Sequence, residues 1–562
     1  MGKICRQCRQ EFKITGDDLK FYDKISPVFG GKKYQVPPPT LCPDCRQQRR
    51  LAQINQVHLF RRKCTATGEN IISNYPEESP YGIYSQRYWF SDAYDGVVQG
   101  RDFDFSRSFF DQFQELSAVV PRPALFSDFL HDENSAYTNY AGKNKNCYLL
   151  FDSDENRDSA YSYGMNSSRD SLDCYRVQKL DHCYETGDSN NCYGCVHTYN
   201  SENCSECTFI NNCIGCSNLI MCSNLRNKKY CVENKAVTRE EYERIRKNLS
   251  YTGVFQEKIH EFQKFRQKFP HKYMREVQCE NCSGNYLVNC KDTRDSYDSM
   301  NVWNGRYCTP MFMHSQDVMD TDELGECELA YEANNCGYNA YNLLCSLQCM
   351  ENITDLSYCN LCFHSSSLFG CIGLRYKKYC ILNKEYTKET YEELVPKIIA
   401  HMTKTGEWGE YFPITSAAFP YNLSMAQDFY PLSQAEVVRR GWNWKEEEAP
   451  DFSGVTKKIP ANKLPATITE IPDDILNWAI ECSESKKPFR IQKTELDFYR
   501  KLDLPIPRFH PEVRHQKRIA LRNPRRLWQR NCANCQKEIQ TTYAPERPEV
   551  VYCEECYLKT VY

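Results

Sequence analysis

The chain has 562 residues, 33 of them cysteine, with a net charge of −3 and a mean hydropathy of −0.69. Such length supplies several cores without disulfide staples, no apolar run is long enough for a bilayer span, and the polar, cysteine-bearing residues 1–8 are unlike a signal peptide. The expectation is a cytoplasmic protein with reduced thiols that serve metal binding or packing. The charge is uneven: residues 1–63 carry +9 and residues 482–562 carry +7, which leaves −19 on residues 64–481. Basic ends on an acidic body point to a polyanion at the ends.

Residues 1–63 hold Cys5-x2-Cys8 and Cys42-x2-Cys45. Each pair sets two thiolates on one side of a tight turn, and two pairs close a tetrahedron around Zn²⁺. Phe12, Ile14, Leu19 and Phe21 supply a small core between the knuckles. The second knuckle reads CPDCRQQRR, and the module resembles the zinc-ribbon (CPxCR) family. A basic segment follows, with Arg46, Arg49, Arg50, Arg61, Arg62 and Lys63 and no acid. Residues 64–130 read as a degenerate ribbon and an aromatic connector containing RDFDFSRSFF.

Repeats dominate residues 131–386. Cysteines fall at 174, 183 and 192, then at 195, 204, 213, 222 and 231, in steps of nine within each run. A second block has 290 and 308, then 327, 336 and 345, then 362, 371 and 380. LRNKKYC at 225–231 matches LRYKKYC at 374–380, an offset of 149. The period predicts a parallel β-solenoid in two blocks, 131–237 and 279–386, with two short strands and about eighteen residues per coil. A free thiol is small and apolar enough to stack at the inward point of each coil. Metal and redox chemistry are the alternatives, and the pairs 192/195, 204/207, 213/216, 279/282 and 359/362 keep metal open. Helical caps are expected at 238–278, opened by a capping box at Thr238 and Glu241, and after Thr387. Residues 387–480 form a helix and a Pro-containing connector, with an acid run at 445–448 and a linker at 450–472.

Residues 481–531 read as a degenerate ribbon with a basic segment containing Arg514, Lys517, Arg518, Arg522, Arg525, Arg526 and Arg530. Residues 532–562 end the chain with Cys532-x2-Cys535 and Cys553-x2-Cys556, a strong zinc spacing. An offset of 468 lays Cys532 on Cys64, Cys535 on Thr67, Cys553 on Ser85, Cys556 on Tyr88 and Arg514 on Arg46; an offset of 477 lays Cys482 on Cys5 and Ser485 on Cys8. Each end thus reads as two ribbons joined by a basic segment, one with ligands and one without. Two structural zinc ions are expected, not four.

GxxxxGK[ST], GxGxxG and HExxH are missing, so no catalytic residue is assigned. A solenoid enzyme would draw on the solenoid thiols or on Asp152, Asp154, Asp158 and Asp170. Guanidinium forks suit phosphate, so Arg46, Arg49, Arg50, Arg61, Arg62, Arg514, Arg518, Arg522, Arg525, Arg526 and Arg530 are assigned to nucleic acid, RNA or the ribosome included, with Trp528 available to stack on a base. The competing reading docks these segments on the acidic body and makes the chain a protein-assembly scaffold with partners on the solenoid. No membrane and no small-molecule substrate is indicated. On CPDCRQQRR, GRDFDFSRSFF, LRNKKYC and TTYAPERPEVVYCEECY, the chain resembles a group of uncharacterised zinc-ribbon/β-solenoid proteins of candidate-phylum bacteria. That resemblance implies the architecture, mainly β with α, tandem zinc ribbons flanking a duplicated parallel β-solenoid, and carries no activity.

Overall fold

The repeat region is written in triplets. In a computed structural model, which describes residues 1–562 except 251, 312, 324 and 447–453, Asn146, Leu149, Asp152, Glu155, Asp158, Tyr161 and Gly164 have φ between +50° and +65°. The step of three continues to Glu233 and resumes from Gln278 to Leu382, with slips of one residue at a few coils. Asn, Asp and Gly adopt this left-handed conformation at low cost, whereas Leu149, Tyr161 and Phe209 hold it against their side chains. Four triplets close one coil: Lys145 bridges Arg157, Arg157 bridges Arg169, Arg169 bridges Asp181 and Asp181 bridges Tyr193, all parallel. The coil therefore has about twelve residues and not eighteen. Nine is three triplets, so cysteines nine apart fall on different columns of the coil rather than on one. Thirteen-residue coils, Cys327 onto Ala340 and Ala340 onto Ile353, break the step in the second block.

The hydrogen bonds explain which residues face inward. Lys145 N–H donates to Asn156 O in the next coil (2.9 Å), and Asn146 N–H donates to Glu133 O in the previous one (2.9 Å). The third N–H of each triplet points into the lumen. There the inward side chain one coil earlier accepts it: Cys147 N–H to Ser135 Oγ (3.0 Å), Cys174 N–H to Ser162 Oγ (2.9 Å), Cys213 N–H to Ser201 Oγ (3.1 Å). Sulfur serves as well, since Lys228 N–H donates to Cys216 Sγ and Cys362 N–H to Cys349 Sγ, both at 3.4 Å. The same side chain donates to the carbonyl two residues back, as Ser159 Oγ does to Arg157 O (2.9 Å) and Cys204 Sγ to Glu202 O (3.4 Å). Ser, Thr, Asn and Cys are small and can both donate and accept, so they satisfy the inward N–H, while Leu150, Met165, Val177 and Leu180 take the same register with side chains that form no such bond and pack with the thiols. Thiols suit the lumen on both counts, as hydrogen-bonding groups and as compact side chains that pack with apolar neighbours. Cys204 and Cys213 are 1% and 0% exposed. Under native conditions both should resist alkylation, read by mass spectrometry. Cys204→Ser should be tolerated, whereas Cys204→Leu should cost about 1–3 kcal/mol of stability by overpacking, measured by denaturant unfolding.

The far edge of each block is folded over. Lys235–Ala236 turns back antiparallel on Lys229–Val232, and Lys384–Glu385 does the same on Lys378–Ile381. Helices Arg239–Lys247, Thr252–Arg266 and Lys388–Thr405 follow these edges, covering strands that would otherwise invite pairing. The hydroxyl of Thr238 accepts from Glu241 N–H and that of Thr387 from Thr390 N–H. Tyr242 is buried and donates its hydroxyl to Glu206 O (2.9 Å). Among the described residues no helix is long and apolar enough to cross a membrane. Part of the acid run 445–448 and the start of the linker 450–472 lie outside the described residues.

The helix Thr252–Arg266 packs on the first block through Phe255 and Phe262. His197 is stacked there on Phe209 (5.2 Å between centroids) and touches Phe255 (5.4 Å). Burial, and then the Arg518 charge, hold the His197 imidazole down to about 3. An unfolded histidine titrates near 6.5. The unfolded chain therefore binds a proton that the fold refuses. The stability His197 provides is complete above about pH 6.5 and is lost as pH falls towards the folded value. Its share of the loss between pH 6.5 and 4 is about 3 kcal/mol. His197→Phe should flatten the acid limb of a stability-against-pH curve; an unchanged limb would rule this cause out.

Candidate metal centres and the arginine clasp

Four places in the chain share one knuckle. A hairpin carries the first half. Cys5 N–H donates to Gln10 O (2.9 Å), Cys64 N–H to Glu69 O (2.8 Å), Cys482 N–H to Lys487 O (3.0 Å) and Cys532 N–H to Lys537 O (2.8 Å). The residue that closes each turn has positive φ: Arg9 (65°), Gly68 (76°), Lys486 (62°) and Gln536 (62°). The next N–H reaches across to the second half of the ribbon: Arg6 to Thr40 O, Thr65 to Ile83 O, Ser483 to Arg508 O and Ala533 to Val551 O. The second half then caps a helix, with Cys42, Ser85, His510 and Cys553 as the N-cap residues.

Two of the four hold four thiols. In Cys5, Cys8, Cys42, Cys45 and in Cys532, Cys535, Cys553, Cys556 all ligand atoms lie within 4.8 Å of one another. Cys8 Sγ and Cys42 Sγ are 3.7 Å apart, as are Cys535 Sγ and Cys553 Sγ. A tetrahedral Zn²⁺ with bonds of about 2.3 Å wants sulfurs about 3.8 Å apart, so both donor sets fit that ion. Cys42 N–H donates to Cys5 Sγ (3.3 Å), Cys553 N–H to Cys532 Sγ (3.2 Å) and Asn534 Nδ2 to Cys556 Sγ (3.3 Å), bonds that favour thiolate. The other two knuckles keep one thiol each. Thr67, Ser85 and Tyr88 stand with Cys64, and Ser485, His510 and Val513 with Cys482. At Cys64 burial pushes the thiol up, but hydrogen bonds from Thr67, Ser85 and Ala66 more than offset it. A third grouping, Asp170, Asp181 and His182, also has its ligand atoms within 4.8 Å. It arises because residues twelve apart stack in one column, a geometry the nine-residue reading hid.

The helices that follow these knuckles carry the arginines assigned above to nucleic acid, and most of them face into the fold. On Pro43–Leu51, Arg46 grips Asp320 with two bonds (2.6 and 3.0 Å). Arg49 reaches both oxygens of Glu332 (2.8 Å each) and Glu410 (2.9 Å). Arg50 donates to Asp322 (2.6 Å). On Pro511–Ala520, Arg514 and Arg518 share Asp173, the latter at 2.8 Å, and Arg518 also donates to Glu185 (3.1 Å). Beyond it Arg522 pairs with Asp188 (3.0 Å) and Asp298, and Arg525 with Asp298 (3.0 Å). Burial alone would push the Asp298 carboxyl up, but Arg522, Arg176 and Arg525 hold it well below the usual carboxylate range. Arg46, Arg50, Arg514 and Arg518 are at most 3% exposed. Such pairs hold buried charges that would be costly if left alone.

The remaining assigned residues lie nearer the surface. Arg61 is exposed and donates to Tyr137 Oη (2.8 Å), and half-buried Arg62 donates to Pro76 O (2.7 Å). Arg526 is exposed beside the ring of half-buried Trp528. Arg530 donates to Ala544 O and Glu549 O.

The pairing is crossed. The N-terminal arginine helix docks on acids of the second solenoid block, and the C-terminal one on acids of the first. The ribbons themselves sit at the block entrances: Ile83–Tyr84 pairs with Arg122–Pro123 just before the first block, and Val551–Tyr552 pairs with His271–Lys272 just before the second. The acids Asp173, Asp298, Asp320, Asp322 and Glu332 escaped the sequence reading. The signal they left was an acidic body whose excess charge nearly balances the ends.

No family model matches the chain, and no curated protein matches it. One solved structure, described as "putative acetyltransferase from Desulfovibrio desulfuricans G20", is similar at 10% identity over 42% of this chain and 64% of that one, with a TM-score of 0.10. The chain thus spans less than two thirds of that protein, and at this TM-score the likeness assigns neither fold nor function.

Proposed function

We propose that the chain is a non-enzymatic assembly scaffold, in which two zinc-stabilised ribbon pairs clasp two solenoid blocks together and leave the outer solenoid faces for a protein partner. The observation that supports this reading is the burial of seven arginines against solenoid carboxylates. Their forks are spent inside the fold, so the excess positive charge of the ends acts within the molecule. The exposed surface retains Tyr193, Tyr338, Tyr341 and Tyr376, each 43–72% exposed, as anchors of the kind protein interfaces use.

The test is binding of mixed-sequence RNA and duplex DNA across a salt series, run beside thermal unfolding. On this reading Arg46→Ala and Arg514→Ala lower the unfolding temperature, and no tight, salt-sensitive complex forms. A steep salt slope that shrinks on Arg61→Ala or Arg526→Ala, with unfolding unchanged, would favour nucleic acid through the arginines nearer the surface. Crosslinking in the native cell should place a partner on the outer solenoid faces.

A further inference from the structure

The first coil of the second block is open where the others are covered. Among the described residues, every solenoid cysteine is buried except Cys279 and Cys282. No coil precedes them, and Val277 and Gln278 beside them are exposed. Their S–H groups make the ordinary inward bonds, Cys279 Sγ to Val277 O (3.4 Å) and Cys282 Sγ to Glu280 O (3.3 Å), and Cys282 Sγ also reaches Cys290 O one coil in (3.3 Å). Counted coil by coil back from Cys380 and from Cys231, the inward residues of the first block at these two places are Asp132 and Ser135. The coil therefore does not require thiols here.

A cavity of about 610 Å³ adjoins this mouth. Its walls are Cys282, Ser283 and Arg294 on the solenoid and Lys537, Glu554 and Leu558 on the C-terminal ribbon. The strand His271–Lys272, paired to Val551–Tyr552, holds the ribbon over the mouth, and Lys272 Nζ is 2.8 Å from Glu554. The space is large enough for a small peptide-like molecule, and its lining carries both signs, Arg294 and Lys537 beside Glu538, Glu554 and Glu555.

We propose that Cys279 and Cys282 form a thiol–disulfide exchange site for low-molecular-weight disulfides that enter this cavity. Of the two, Cys282 lines the cavity and Cys279 lies three residues before it. Hydrogen bonds from the thiols of Cys282 and then Cys290 hold the Cys279 thiol below its ordinary range, and Cys279 is the attacking thiolate in this step. Its sulfur attacks one sulfur of the disulfide RSSR. A Cys279–S–S–R bond forms, the S–S bond of RSSR breaks, and RS⁻ leaves and takes a proton from water. Cys282 then gives up its proton and attacks Cys279 Sγ, which closes the Cys279–Cys282 disulfide and expels the second RS⁻. The dithiol loses two electrons and RSSR becomes two RSH. The edge coil, with no coil before it to fix it, is where the backbone can adjust to that bond. The lumen thiols behind it are shielded and stay reduced.

The full-length, zinc-loaded protein is incubated with glutathione disulfide, quenched with N-ethylmaleimide, digested with trypsin and read by mass spectrometry. Residues 276–291 leave as one peptide containing Cys279, Cys282 and Cys290. The expected result is loss of two alkylation sites and two hydrogens from this peptide, with Cys204 and Cys213 untouched. Cys282→Ser should trap a glutathione adduct on Cys279. Three free thiols in the wild-type peptide, under conditions that oxidise a simple dithiol, would overturn the proposal. So would a third zinc per chain that disappears in Cys282→Ser, since the pair would then be a metal site.

Discussion

Asp173→Ala should destabilise the protein by about 3–5 kcal/mol, the penalty for leaving buried charge unpaired. Asp173 is 0% exposed and takes bonds from both Arg514 and Arg518, whose side chains are 3% and 2% exposed. Its removal strands two guanidiniums. Glu495, 3.5 Å from Arg514, and Glu185, 3.1 Å from Arg518, are the carboxylates that remain. The loss should centre on Pro511–Ala520, the helix that pins the C-terminal ribbons to the first block. Denaturant unfolding gives the size, and amide exchange along 511–520 gives the place. Adding Arg514→Met to Asp173→Ala should recover part of the loss, because an apolar side chain of similar volume removes one stranded charge. A change below about 1 kcal/mol would mean that water reaches the pair. Asp320→Ala should act in the same way on the N-terminal clasp, where Arg46 is gripped by two bonds.

Chelation of metal should have the second large effect. Structural Zn²⁺ in small ribbons contributes apparent free energies of about 10–16 kcal/mol, so the metal-free ribbons should not stay folded. Metal analysis should find two ions per chain. Cys532→Ser should lower the count to one and Cys64→Ser should leave it at two. Because Val551–Tyr552 carries His271–Lys272 beside it, zinc loss at the C-terminus should also raise amide exchange at 271–273 and expose Cys282 further. A count of three or more, or unchanged protection after chelation, would contradict this assignment.

Several features were legible because they are local. The spacings Cys5-x2-Cys8, Cys42-x2-Cys45, Cys532-x2-Cys535 and Cys553-x2-Cys556 describe knuckles whose geometry lies within a few residues of each cysteine. Cys64 and Cys482 were found by offset, and the bonds from Cys64 N–H to Glu69 O and from Cys482 N–H to Lys487 O follow the same pattern. The nine-residue step announced a solenoid. It could not give the coil, because nine and twelve are both multiples of the triplet, and nothing in the spacing says how many triplets close a turn. That number follows from the left-handed residue at every third position and from the register it imposes, Lys145 over Arg157 over Arg169.

What the sequence determined by itself is therefore the local chemistry: two four-thiol sites, small thiols pointing inward in a repeat, and arginines whose helical spacing sets several on one side. Only the tertiary structure decided what those arginines meet. Arg46 and Asp320 are 274 residues apart in the chain, and Arg518 and Asp173 are 345 apart. A guanidinium fork suits a carboxylate as well as a phosphate, so the residue type could not choose between them. The choice was made by folding, which brings the acidic coils against the basic helices and excludes water from the contact.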